Sequence, residues 1–149
     1  MKRILRALVV IAVFSVAAQL VGQRLRRDYE GDTTPEDDEF RVAGILGGAD
    51  VSSTASALRS VGVKAAFGGV AIDLSGATLA AEGGEIDIHV SLGGVALTVS
   101  PDWRVDVESA LSGGDVATDL PDPETLPADA PTLTVRVAGR GGGVAVSTA

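Results

Sequence analysis

The sequence predicts an all-β protein: a short, single-stranded β-helix or solenoid preceded by one N-terminal transmembrane α-helix. Three observations carry this expectation. A glycine pair followed by small or apolar residues recurs five times, at Gly47-Gly48, Gly68-Gly69, Gly93-Gly94, Gly113-Gly114 and Gly142-Gly143, at intervals of 21, 25, 20 and 29 residues. Recurrence in that range marks stacked supersecondary units. Between the pairs, apolar and polar residues alternate with the period of a strand. Finally, residues 1–27 hold an apolar run bracketed by six cations and no carboxylate. The chain thus divides into a membrane anchor (1–27), an acidic linker (28–40) and a repeat domain (41–149).

From Ile4 to Val21 only Arg6, Ser15 and Gln19 interrupt the apolar run. As a helix this segment would span roughly 27 Å, close to the ~30 Å hydrocarbon layer, so residues 4–21 are expected to meet the lipid bilayer. Arg6 lies one turn from the end and can snorkel to the interface. Val16-Ala17-Ala18 could also be a cleavage site, which would make the segment a secretory signal peptide. Against that, Leu20 and Val21 continue the run, and the Arg24–Arg27 cluster follows as a stop would. A buried helix is the third reading. Three cations stand on each side, so the positive-inside bias nearly cancels and either orientation of a single-pass cell-membrane protein stays open.

Residues 28–40 are rich in carboxylates and have no apolar periodicity, so they are expected to form an extended, solvated tether. Their spacing fits no EF-hand loop. Over residues 28–149, six cations face all 20 carboxylates. Such an acidic body repels phosphate backbones, and no nucleic acid is expected as partner. The chain has no cysteine, which excludes disulfides and thiolate sites. Aromatic residues are only 3% of the total, so Val, Ile, Leu and Ala must build the core.

In the repeat domain, Ile86, Ile88, Val90 and Leu92 alternate with polar residues, as do Trp103, Val105 and Val107, and Leu133, Val135 and Val137. Thr54–Val61 is the only short helical candidate beyond the anchor. Glycine reaches positive φ without a Cβ clash, so Gly68, Gly69, Gly93, Gly94, Gly142 and Gly143 are read as the corners of successive coils. The strands that follow, Val70-Ala71-Ile72, Val95-Ala96-Leu97 and Val144-Ala145-Val146, should then stack in register. Asp119–Pro131 carries four prolines, which deny ladder donors, and reads as a looping excursion. A Greek-key sandwich is the rival architecture.

Candidate chemistry is sparse. His89 stands on a polar strand face beside Asp87 and Ser91, without the further ligands at fixed spacing that a metal would need. Asp73, between Ile72 and Leu74, is expected to pair with Arg59, Lys64 or a corner amide. Asp106 and Glu108 share a solvated face. Trp103 reads as a cap on the apolar interior, with a recognition platform as the alternative. Gly139–Gly143 lacks the Gly-Lys-Ser/Thr ending of a phosphate loop. No nucleophile–base pair can be named, so neither an enzyme nor a cofactor is expected.

Two segments carry a family resemblance. Ala66-Phe67-Gly68-Gly69-Val70-Ala71-Ile72-Asp73-Leu74-Ser75-Gly76-Ala77 resembles the Phe-Gly-Gly-x-x-Ile-Asp-Leu-x-x-Ala signature of LiaF-type cell wall-active antibiotics response proteins. Leu92–Val105, with Gly93-Gly94 and Trp103, is similar to the second signature, Phe-Gly-Gly-x-x-Ile-x-Val-Pro-x-x-Trp-x-Val. The resemblance covers about residues 42–147. It implies a right-handed β-helical domain in a membrane-linked regulator of envelope stress, acting on a membrane histidine kinase of a two-component system. This chain departs from the family in having one apolar span where several are usual, and in placing Pro101 two residues after Val99. The second functional reading is structural. Terminal coils expose ladder edges, no dedicated cap is visible in the sequence, and copies could stack into a homo-oligomer.

Overall fold

The computed structural model describes residues 2–149, although inside the first helix the side chains of residues 2, 5, 7–15 and 18 lie outside the description. The predicted bilayer segment, residues 4–21, falls largely on these. Among the described residues no helix is long and apolar enough to cross a membrane. The helix itself, α1 (Lys2–Glu30), ends at Gly31, whose φ of 60° and N–H bond to the Arg27 carbonyl (2.9 Å) form a left-handed stop.

The remainder is broadly all-β. Seven strands, β1 (Glu39–Ile45), β2 (Gly48–Ser52), β3 (Ser60–Ala66), β4 (Gly69–Asp73), β5 (Gly84–Val99), β6 (Arg104–Asp119) and β7 (Thr132–Thr148), form one sheet. Every strand pairing in it is parallel. A layer consists of a strand, a corner at a glycine pair, and a second strand. In the first two layers the corner separates β1 from β2 and β3 from β4. In the last three, β5, β6 and β7 each run through it. The Thr54–Val61 helix does not form; that stretch is an irregular turn leading into β3. Its alanines and Leu58 are consumed in closing the interior, and Leu58 bridges Leu79 in parallel.

The layers do not stack in chain order. β5 pairs β7, and β7 pairs β6, so the last layer in sequence lies between the third and the fourth. The proline-rich excursion makes this possible. It carries the chain past β6 through a 3-10 turn (Pro123–Thr125), capped by the Asp122 carboxylate on the Glu124 N–H at 3.0 Å. The chain then re-enters beside β5.

Within the layers the predicted register is present: Val70, Val95 and Val144 align, as do Ile72, Leu97 and Val146. Strand alternation sends these inward to meet Val61, Val63, Ile86, Ile88, Leu133 and Val135, all buried in one cluster with Trp103. Each fully buried Val, Ile or Leu contributes roughly 1.5–3 kcal/mol. Connecting segments supply Ala55, Leu58, Leu74 and Leu79 to the same core.

The β1 half of the first edge is closed by α1 and the segment after it, while β2 pairs with β4 on one side. Glu30 Oε1 accepts the Ala43 N–H at 3.1 Å and Thr33 Oγ1 accepts the Arg41 N–H at 3.0 Å. The expected absence of a cap is thereby corrected: the cap comes from outside the repeat. The segment expected as a tether is tied down as well. The Asp38 carbonyl accepts the N–H groups of Arg59 (2.8 Å) and Ser60 (3.2 Å), and Ser53 Oγ donates to the Pro35 carbonyl.

Candidate functional site

The glycine pairs stand where one strand direction turns into the next, but their chemistry differs from the expectation. Gly68, Gly69, Gly93 and Gly94 do not have positive φ; the left-handed residue is the one before each pair. Leu46, Phe67 and Leu92 hold φ of 54°, 52° and 53°, and Gly113 and Gly141 take the equivalent corner at 68° and 63°. The register shows the equivalence, since Gly142 pairs both Gly93 and Gly114. The fourth copy is therefore shifted by one: Gly114 is its first glycine, and Asp115 stands where the second would be.

What the first glycine supplies, in every copy after the open Gly47, is close stacking. A Cβ on Gly68 would run into the Gly47 carbonyl, on Gly93 into the Gly68 carbonyl, and on Gly142 into the Gly93 carbonyl. The second glycine is less constrained, with the nearest backbone oxygen 3.8 Å from a Cβ at Gly69 and 3.7 Å at Gly94. Of the predicted turn residues, only Gly142 combines positive φ, at 102°, with this close approach.

Of the partners expected for Asp73, neither Arg59 nor Lys64 is bonded to it, and a turn amide is. Its Oδ1 accepts the Ser75 N–H at 2.9 Å and the Ser75 hydroxyl at 2.6 Å, closing a turn after β4. Those two bonds hold its carboxyl below the usual Asp value, because they stabilise the charged form. The carboxylate is thus committed to a turn. Trp103 is buried in the core cluster, with its N–H bonded to the Ser100 carbonyl at 3.3 Å.

Two hollows lie on the outward faces of the sheet. One follows the face made by β1, β3 and the first halves of β5, β7 and β6. It encloses about 670 Å³ between Tyr29, Lys64, Asp87, His89, Glu108 and Arg136. Parallel pairing stacks these side chains in rows across the layers. Asp87, Arg136 and Glu108 make one row, and Lys64, His89, Ala138 and Ala110 the next. The small alanines keep the distal floor low. Arg136 bridges Glu85 at 3.4 Å and Glu108 at 3.5 Å. Both bridges are solvent-exposed and worth at most about 1 kcal/mol.

Tyr29 reaches this face from the last turn of α1. Its ring lies between the Arg41 guanidinium (5.9 Å) and the Lys64 ammonium (5.8 Å), over the space that Gly62 leaves free. Burial pushes the phenol above its ordinary value, with Arg41 opposing and Asp87 reinforcing the shift. Sequence reading placed Tyr29 in the tether and missed this role. The local hint is Gly62, a bare position between the β-branched Val61 and Val63 of β3. The second hollow runs over the glycine row Gly48, Gly69, Gly94 and Gly143 and the alanine row Ala71, Ala96 and Ala145.

The arrangement offers recognition surfaces: a charged trough with one aromatic wall, and a flat face of small residues. Among the described residues no three His, Asp or Glu side chains gather as a metal-binding group. Comparison of the chain with known protein families, with curated proteins and with solved structures finds no match.

Proposed function

We propose that this chain is a membrane-anchored, non-enzymatic regulator or sensor of cell-envelope stress that acts by protein–protein contact. The parallel stack is read as a short right-handed β-helix, and α1 as a single-pass anchor in the cell membrane. The LiaF-type resemblance at Phe67–Ala77 and Leu92–Val105 supports the envelope assignment, and a membrane histidine kinase is the first partner to examine.

One observation carries the anchor. The described apolar side chains of α1, namely Ile4, Val16, Leu20, Val21 and Leu25, all stand exposed, while the C-terminal turns of the same helix are pinned to β1. A helix that is bonded to the domain at one end and apolar outside at the other suits a bilayer. The trough from Tyr29 to Glu108 supports a protein partner, since it presents both signs of charge around an aromatic wall. The test is a photo-crosslinker at His89 in intact cells, with Lys64→Glu/Arg136→Glu as the matched variant. Crosslinking to a membrane kinase, lost in the variant and accompanied by altered stress signalling, is the expected result. Absence of any protein adduct, with signalling unchanged on deletion of the chain, overturns the reading.

A second reading, self-assembly, is favoured by β6. It pairs β7 alone and leaves Val105, Val107 and Val116 only partly covered. Glu30 and Thr33 occupy the β1 edge, so the β6 edge is the one free along its first half for pairing with a second copy. A monomer in sedimentation at high concentration sinks it.

A further inference from the structure

The corner residues Leu46, Phe67 and Leu92 form an exposed apolar ridge along the stack, at 40%, 61% and 61% exposure. Each sits in the left-handed region, where a side chain is strained and glycine is not. The chain can use glycine here, and does so at Gly113 and Gly141. Three bulky apolar side chains held in a strained conformation and facing outward contribute nothing to the core. Leu46 borders Gly22 of α1 and Leu92 lies over Gly141, but strain of this kind held on side chains that stay 40–61% exposed points to a surface with a task.

The position of α1 indicates what covers the ridge. Going from its C-terminus backward, Glu30 bonds Ala43, and Gly22 is buried where a Cβ would meet the Ile45 carbonyl at 2.5 Å and Leu46 Cβ at 3.2 Å. The helix therefore runs antiparallel to β1 and passes the corner at Gly22. Residues 4–21, the apolar run, continue roughly 27 Å beyond it. If that run lies in a bilayer, the lipid surface begins beside Leu46, and the ridge extends sideways from that point.

Charge has the same polarity. Carboxylates are sparse along the corners: segments 65–72, 90–98 and 138–146 contain none, and 44–51 and 111–117 hold one each, Asp50 and Asp115, although the chain has 20. The cations Arg24 and Arg27 of α1 and Arg140 of β7 are exposed near this side. The carboxylates Glu39, Glu85, Asp106 and Asp73 stand at the other ends of the strands.

We propose that the Leu46–Phe67–Leu92 ridge is a lipid-contact surface that lays the glycine corners of the domain on the bilayer interface. This rests on the anchor reading of α1. Apolar side chains flanked by cations, with no carboxylate on the segments that carry Phe67 and Leu92, are what an anionic interface accepts. Leu46, Phe67 and Leu92 would fix the tilt of the domain and leave the charged trough turned to its partner.

Because the chain has no cysteine, single labels are unambiguous. Full-length Phe67→Cys, Leu92→Cys and, as control, Thr78→Cys are labelled with an environment-sensitive fluorophore. They are then reconstituted in phosphatidylcholine vesicles containing about one-third phosphatidylglycerol. Flotation reads the anchor, and acrylamide quenching reads the ridge. Labels at Phe67 and Leu92 are expected to be quenched roughly five-fold less than the label at Thr78, independent of protein-to-lipid ratio. Flotation with equal quenching at all three sites overturns the ridge and leaves the anchor standing. Failure to float overturns both. Protection that disappears on dilution to one chain per vesicle assigns the ridge to a second copy instead, and also overturns the proposal.

Discussion

The three layers next to α1 and the two layers farthest from it are built from the same repeated phrase and made differently. In the near layers the corner residue is Leu46, Phe67 or Leu92, the interiors of β1, β3, β4 and β5 are buried, and the β1 edge is closed by Glu30 and Thr33. In the far layers the corner is Gly141 or Gly113, Asp115 replaces a stacking glycine, and β6 carries half-exposed Val105, Val107 and Val116 along an open edge. The Arg104 N–H bonds the Pro131 carbonyl, so alternation turns the N–H groups of Val105, Val107 and Ser109 outward. The difference teaches that the repeat sets only the geometry of a layer. What each layer shows follows from its distance to the helix: docking of α1 and exposed apolar corners near it, the unpaired β6 edge away from it.

The largest effect is expected where the two groups of layers join. β7 is the only partner of β6 and also covers β5. Val135, fully buried between Ile86 and Val107, is its centre. Val135→Asp places an unpaired carboxylate there, at a cost of about 4 kcal/mol or more. Limited proteolysis should cut residues 104–149 while residues 39–99 survive. A single all-or-none loss of both parts would break the distinction and make the stack one cooperative unit.

Next is the corner. Gly93→Ala drives a Cβ into the Gly68 carbonyl and should cost about 3 kcal/mol, whereas Gly94→Ala, whose Cβ would lie in ordinary contact 3.7 Å from the Gly143 carbonyl oxygen, should cost under about 1 kcal/mol. Denaturant midpoints of the two variants check this. Equal losses would mean that the pair acts as a conformational hinge and not as a stacking contact.

Much of this was legible in the residues, and the misses share a cause. Strand periodicity and the glycine recurrence fix the layer and its internal register, because both are local and repeat with the backbone. Three things escaped. The left-handed residue was assigned one position late, since Leu46, Phe67 and Leu92 gave no sign of strain where a glycine pair stood adjacent. Layer order is not encoded in the repeat, although the excursion at Asp119–Pro131 that lets β7 re-enter beside β5 is itself legible. The edge cap was missed because Glu30 and Thr33 belong to a segment whose clustered carboxylates resemble a tether. Such choices depend on contacts between distant residues, which periodicity does not encode. Asp73 shows the opposite failure: its distant partners were considered, and Ser75, two residues away, holds it.

The cap itself is testable with a smaller effect. Glu30→Ala removes the acceptor of the Ala43 N–H and the partner of Arg26, a partly exposed pair at 2.9 Å. The hydrogen bond is worth about 1–2 kcal/mol and the ion pair adds little. Hydrogen exchange at Ala43 should accelerate roughly ten-fold, while exchange in β7 stays unchanged. Acceleration throughout the sheet would show that the two ends are not independent.

The smallest expected effect has the opposite sign, and for that reason it sharpens the comparison most. Phe67→Gly gives a near layer the corner of a far one. Glycine is relieved of the left-handed strain, worth about 1–2 kcal/mol, and part of that gain is returned as the greater backbone entropy of the unfolded chain. Phe67 is 61% exposed, so the deletion leaves no cavity. The net result should be a domain slightly more stable to denaturant, by about 0.5 kcal/mol, with its corner less protected at a vesicle surface. Stability and lipid contact then move in opposite directions in one variant, which neither a packing role nor a neutral surface position produces. If Phe67→Gly instead destabilises the fold, the ridge is part of the structure's own packing, and the near corners differ from the far ones for internal reasons alone.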